Sequence, residues 1–138
     1  MTHPVSTDDR ALVEACPVFR TLSILKRRWT ILVLQGLMAA SDPRGIRFTD
    51  IHQRMGWVSR KVLTEHLRDL EAEGLLTRTV DSSGPTTNVY YALTDRGNDL
   101  RDILDRMRQW GLKHGGPHVR TCPVMQPERC GGCPQDPQ

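Results

Sequence analysis

The stretch Ser59-Arg60-Lys61-Val62-Leu63-Thr64-Glu65-His66-Leu67-Arg68-Asp69-Leu70-Glu71-Ala72-Glu73-Gly74-Leu75-Leu76-Thr77-Arg78-Thr79-Val80 decides the fold. Leu63, Leu67 and Leu70 recur at four and three residues, the spacing of one face of an α-helix, while Arg60, Lys61, Thr64, Glu65 and Arg68 fall on the other side. Ser59 can cap this helix, because its hydroxyl can accept an orphan backbone N–H of the first turn; Val62 stands where a capping box would place a glutamate. Gly74 supplies the left-handed residue that stops a helix, and residues 75–80 change to an extended, β-branched composition. The succession predicts a helix whose outer face suits a DNA major groove, a tight stop and the first strand of a wing. An ordinary amphipathic surface helix with a solvated charged face would look the same in isolation, so its neighbours must decide.

Immediately upstream, Phe48, Ile51 and Met55 recur at three and four residues, with Thr49 as the expected cap and Gly56 as the stop. The turn Gly56-Trp57-Val58 then joins two helices in a helix–turn–helix order, the first bracing the second. Downstream, Asp81-Ser82-Ser83-Gly84-Pro85-Thr86-Thr87 has the composition of a hairpin tip, and residues 88–93 return with Val89, Tyr91 and Leu93 on one face, predicting a two-stranded wing. Thr94-Asp95 opens a last helix, with Leu100, Ile103, Leu104, Met107 and Gly111 on one stripe and Trp110 beside it. A lone apolar stripe after a small wing needs cover, and a second copy of the chain is the expected partner, joined by Leu12 and Phe19.

Towards the N-terminus, residues 1–15 form an arm with a short helical lead over residues 8–15. Pro is favoured at the first helical position, so Cys16-Pro17 predicts a cap for a helix running through Phe19, Leu22 and Leu25. A thiolate at that place faces the positive end of a helix dipole; a small thiol packed as a hydrophobe is the plain alternative. Lys26-Arg27-Arg28 precedes a core helix over residues 30–40 carrying Ile31, Leu34, Leu37 and Met38 on one face, and residues 41–45 read as a loop.

A length of 138 residues suits one hydrophobic core with appended ends. The net charge of +3 says less than its distribution. Residues 44–68 hold six Lys or Arg against two acids, whereas residues 81–105 hold five acids against two arginines, so one part of the chain can face phosphate and another cannot. The first ten residues lack an apolar run and the longest one, residues 31–34, is far too short for a bilayer; a cytoplasmic protein without membrane association is expected. Four cysteines in a reducing compartment point to free thiols, metal ligands or redox sensors before a disulfide framework.

The order of residues resembles the HxlR-type winged-helix transcriptional regulators of bacteria and archaea. The resemblance covers roughly residues 16–111. It is carried by Cys16-Pro17-Val18, Trp29-Thr30, Arg47-Phe48-Thr49-Asp50-Ile51, Ser59-Arg60-Lys61-Val62-Leu63-Thr64, Leu67-Arg68-Asp69-Leu70-Glu71 leading to Gly74-Leu75, Tyr91-Ala92-Leu93-Thr94, Gly97 and Trp110-Gly111. It implies a mainly α fold with a small β wing, a winged helix-turn-helix whose terminal helices serve dimerisation. It further implies a homodimer on an inverted repeat in double-stranded DNA, and, for several members, a sensor of oxidants or electrophiles at the position of Cys16. This chain departs from the family in carrying Lys26-Arg27-Arg28 where Gly-Gly-Lys is usual, which predicts a longer or straighter helix entry, and in its cysteine-bearing tail.

Together these features predict a non-enzymatic DNA-binding regulator, a repressor before an activator, with an arm over residues 1–15, a DNA-binding domain over residues 16–113 and a tail over residues 114–138. Ser59, Arg60, Lys61, Thr64 and Arg68 are the expected groove contacts, with Arg28, Arg47 and Arg78 on phosphates. The dimer surface is assigned to Leu12, Phe19, Leu100, Ile103, Leu104, Met107 and Trp110. No cofactor is called for elsewhere, but Cys130 and Cys133 have the spacing of two zinc ligands, with Cys122 and His118 as third and fourth. Idle thiols in a disordered tail, and a disulfide switch with or without Cys16, stay open there. The rival class is a thiol-redox or zinc-handling protein built on that cluster, although no βαβ unit accompanies Cys130-Gly131-Gly132-Cys133.

Overall fold

The computed structural model describes residues 7–118, with side chains over residues 9–117; Cys122, Cys130, Cys133 and the His118 side chain, and with them the zinc and disulfide readings of the tail, lie outside the described residues. The chain forms two compact units, one ending at Ile31 and the other beginning at Leu32.

The first unit holds α1 (Thr7–Glu14) and α2 (Pro17–Leu25). Cys16 is the N-cap of α2 with Pro17 at the first helical position, as expected; its side chain makes no capping bond and is exposed. Leu25 is the buried residue of α2, whereas Phe19 is 43% exposed. The expected longer, straighter entry into the next helix is not formed. Residues 26–29 make a turn in which Trp29 takes the left-handed backbone (φ 73°), a conformation that a glycine would adopt without strain. The Arg28 guanidinium lies 4.7 Å from the centre of the Trp29 ring.

α3 (Thr30–Met38) crosses into the second unit, where Val33, Leu34 and Leu37 are buried. After the loop come β1 (Ile46–Arg47), α4 (Phe48–Arg54), α5 (Arg60–Ala72), β2 (Leu76–Asp81), β3 (Asn88–Leu93), α6 (Asp95–Asn98) and α7 (Leu100–His114). Leu63, Leu67 and Leu70 are all buried, so the stripe that predicts α5 is the face that packs on the core. Each such leucine contributes about 1.5–3 kcal/mol by leaving water.

Three details differ from expectation. The wing belongs to a three-stranded antiparallel sheet in the order β1-β3-β2, with Ile46 opposite Tyr91 and Leu76 opposite Leu93. A two-residue strand has no periodicity to announce it, and because β3 is central both Tyr90 and Tyr91 are buried. The cap of α4 is Arg47; Thr49 lies inside the helix, because Arg47 still holds the extended backbone of β1 when the helix begins. The last helix is broken at Asp99, and Leu104 is only 4% exposed within the single chain, which removes it from a dimer surface and makes it core.

The end of α5, the start of β2 and the start of α6 meet in one junction. Gly74 ends the helix at φ +76°. The Thr94 hydroxyl donates to the Gly74 carbonyl (2.6 Å) and accepts from the Gly97 N–H (3.1 Å), while the Thr94 N–H donates to the Leu75 carbonyl (3.0 Å). Gly97 sits so close to Leu75 that an added Cβ would lie 2.3 Å from its carbonyl oxygen. Gly97→Ala is therefore expected to destabilise the protein by about 1–3 kcal/mol, whereas Gly36→Ala, inside α3 with nothing within 4 Å of the new Cβ, should gain up to about 1 kcal/mol. Urea denaturation midpoints of the two variants, shifting in opposite directions, check this pair.

Candidate nucleic-acid interface

The outer face of α5 is set by its start. Ser59 holds the extended backbone of an N-cap, and its hydroxyl accepts the Val62 N–H at 3.2 Å, the bond expected from sequence. The turn before it is closed by a group that the sequence did not single out: His52 Nε2 lies 3.0 Å from the Val58 carbonyl, and since a carbonyl only accepts, Nε2 carries the proton. The His52 ring stacks on Phe48 (centroids 6.3 Å, 1° between planes), and Arg60 lies 5.9 Å from the Phe48 ring centre on α4. Stacked aromatic rings at helical spacing thus hold both the turn and the first arginine of α5.

Arg68 and Thr64 on α5 face Arg78, Thr87 and Asn88 of the wing across a cleft of about 320 Å³, floored by Phe48 and Tyr91 and bordered by Arg47. Two of the predicted groove residues and two of the predicted phosphate contacts are thereby brought to one place. Lys61 is exposed on the same helix, and neither it, Arg68 nor Arg78 makes an ion pair among the described residues. On this face of the second unit, these three cations are free to meet an anion. Thr87 and Asn88 are additions; a turn-rich tip lacking Lys and Arg offers no sequence signal for them.

Not every predicted contact is equally free. Arg47 is paired with Asp50 (Nε to Oδ2 3.1 Å), whose carboxylate raises the guanidinium pKa above its ordinary value. The Thr64 hydroxyl donates to the Arg60 carbonyl at 2.7 Å, so it must rotate before it can donate elsewhere. Arg28 belongs to the first unit.

A larger hollow of about 440 Å³ lies beside Asp42, Arg44, Arg47, Asp50 and Arg54, yet most of its charge is already matched. Arg44 bonds Asp42 at 2.9 Å, reaches Asp81 at 3.5 Å and covers the Tyr90 ring at 4.6 Å, which ties the loop before β1 to the far end of β2. The side-chain bond from Arg44, and then its backbone N–H, lower the Asp42 pKa; the Ser83 hydroxyl, then the Ser83 N–H, lower that of Asp81. This cluster braces the turn end of the wing's first strand, and the smaller cleft, with its uncommitted arginines, is the one suited to phosphate.

On α7, Ile103 and Met107 are each 43% exposed and Trp110 67%, an apolar strip facing outwards from the second unit. Leu12 and Phe19 are exposed in the first. No group of three or more metal-ligating side chains occurs among the described residues, and no helix among them is long and apolar enough to cross a membrane.

Known proteins place this geometry. The chain is 32% identical over 103 residues to the HTH-type transcriptional regulator YdzF of Bacillus subtilis (strain 168), covering 75% of this chain and 91% of that protein. The reduced form of the transcriptional regulator YodB from B. subtilis superposes with a TM-score of 0.64 at 30% identity, over 75% of this chain and 98% of YodB. The redox regulator HypR in its reduced form gives a TM-score of 0.64 at 28% identity, over 73% and 95%. The rival reading as a thiol-redox or zinc-handling protein is not favoured by these relatives. Residues 24–119 match the family model described as HxlR-like helix-turn-helix, and with the winged architecture above, the chain belongs to this family of DNA-binding transcriptional regulators.

Proposed function

We propose that the chain is a homodimeric repressor that occupies an inverted-repeat operator, placing α5 in the major groove and the wing along the adjacent backbone. The observation that carries this reading is the cleft in which Arg68 of the helix and Arg78 of the wing converge with Thr87 and Asn88, unpaired by any acid. Arg60 and Lys61, at the start of α5, are assigned to base edges or flanking phosphates, with Ser59 and Thr64 beside them; Arg28 and Arg47 are assigned to phosphates. The exposed strip Ile103, Met107 and Trp110 is the proposed dimer contact, with Leu100 at its margin, since apolar area of this kind is covered in a stable assembly; Leu12 and Phe19, exposed in the first unit, are proposed as further dimer contacts. Two copies would then meet half-sites about one helical turn, or a multiple of it, apart.

The operator is obtained by selecting duplexes from a random library with the full chain. On that duplex, Arg60→Ala combined with Lys61→Ala is expected to weaken binding by at least about 1–3 kcal/mol, and Arg78→Ala should lower the salt slope of the affinity by about one. Retained affinity in the double variant, measured by fluorescence anisotropy, would remove α5 from the interface.

The same reading makes Cys16 the oxidant sensor. HypR is named a redox regulator, and Cys16 is exposed at the cap of α2, where its Sγ can attack hydrogen peroxide, breaking the O–O bond so that one oxygen is retained as a sulfenic acid and the other leaves as water. Treatment with hydrogen peroxide is expected to weaken operator binding several-fold in the wild type and much less in Cys16→Ser. An undiminished response in that variant would move the sensor elsewhere, the thiols Cys122, Cys130 and Cys133 being next to test.

A further inference from the structure

Residues 44–68, the basic stretch of the chain, contain two acids, Asp50 and Glu65. Asp50 is neutralised by Arg47. Glu65 is exposed and makes no hydrogen bond or ion pair among the described residues, although Lys61 and Arg68 flank it at four and three residues on the same helix. The order of Lys61 before Glu65 is the weaker one for a helical ion pair, which accords with their separation. At about 100° per residue, Glu65 lies nearly opposite the buried stripe of Leu63, Leu67 and Leu70, at the middle of the outer face of α5. An unpaired carboxylate is thus presented where the proposed polyanion would approach most closely.

Phosphates repel such a group, so its place on this face is favourable only where it meets a hydrogen-bond donor. In the major groove the donors are the exocyclic amines of cytosine and adenine. Adenine N6 sits beside the N7 lone pair, which opposes a carboxylate, whereas on its own major-groove edge cytosine N4 is flanked by the C5–H and by no acceptor. We infer that Glu65 is a specificity-determining residue that reads cytosine N4 at one position of each half-site. The inference rests on the DNA-binding reading above and adds the base that α5 selects.

Wild type, Glu65→Gln and Glu65→Ala, each as the full chain, are put through the same random-duplex selection, with thermal melting to confirm that the exposed substitution leaves the fold intact. The wild type is expected to enrich a C·G pair at one symmetric position. Glu65→Gln, whose amide both donates and accepts, should change that position to A·T, and Glu65→Ala should leave it degenerate. On the wild-type duplex both variants should lose roughly tenfold in discrimination against that single base change. The same motif in all three proteins would overturn the inference while leaving DNA binding in place. So would Glu65→Ala tightening binding to every duplex equally, because the carboxylate would then act only by repelling phosphate. A wild type that selects no motif would instead sink the DNA-binding reading and this inference with it.

Discussion

The arrangement of helix and wing depends on the hydroxyl of Thr94. By donating to the carbonyl of Gly74 and accepting from the N–H of Gly97, it joins the C-terminal end of α5 to the N-terminal end of α6 at a point where β2 and β3 also meet. The close approach of Gly97 to Leu75 leaves no room for a side chain, and the left-handed Gly74 turns the backbone from helix to strand in one residue. Those three constraints set the wing beside α5. Neither element alone makes a site; the cleft is lined by Arg68 of the helix and Arg78 of the wing together.

Charge in the second unit is then sorted by pairing. Arg44 is engaged by Asp42, Asp81 and the Tyr90 ring, Arg47 by Asp50, and Arg60 lies against Phe48. Exposed pairs of this kind add little to stability, but they fix side chains and remove them from competition for a ligand. Lys61, Arg68 and Arg78 remain without acidic partners among the described residues, around the outer face of α5 and the cleft. Residues that shape the surface and residues left to meet an anion are thus separable by what each guanidinium touches, which a count of basic residues cannot do.

The helical face of α5 was legible because three leucines at four- and three-residue spacing admit one period, and the Ser59 cap and Gly74 stop delimit it chemically. The exposed strip of α7 was legible for the same reason, save for Leu104, whose burial depends on packing within the chain that a linear stripe does not contain. β1 was missed because two residues carry no alternation, and Thr49 was mistaken for a cap because the strand that displaces it was unseen. Trp29 could not be foreseen in the left-handed region, because a bulky residue there runs against its own backbone preference. His52 and Asn88 are ordinary polar residues in sequence, and only the folded turn and cleft give them roles.

The central claim is that α5 and the wing together form the surface that meets DNA, and amide chemical-shift mapping of the isotope-labelled full chain tests it most directly. On addition of the selected duplex, the largest shifts should fall at residues 59–68 and at Arg78, Thr87 and Asn88, with the exposed face of α7 little changed. Shifts concentrated on α7, or confined to the hollow around Asp42 and Arg54, would contradict the account.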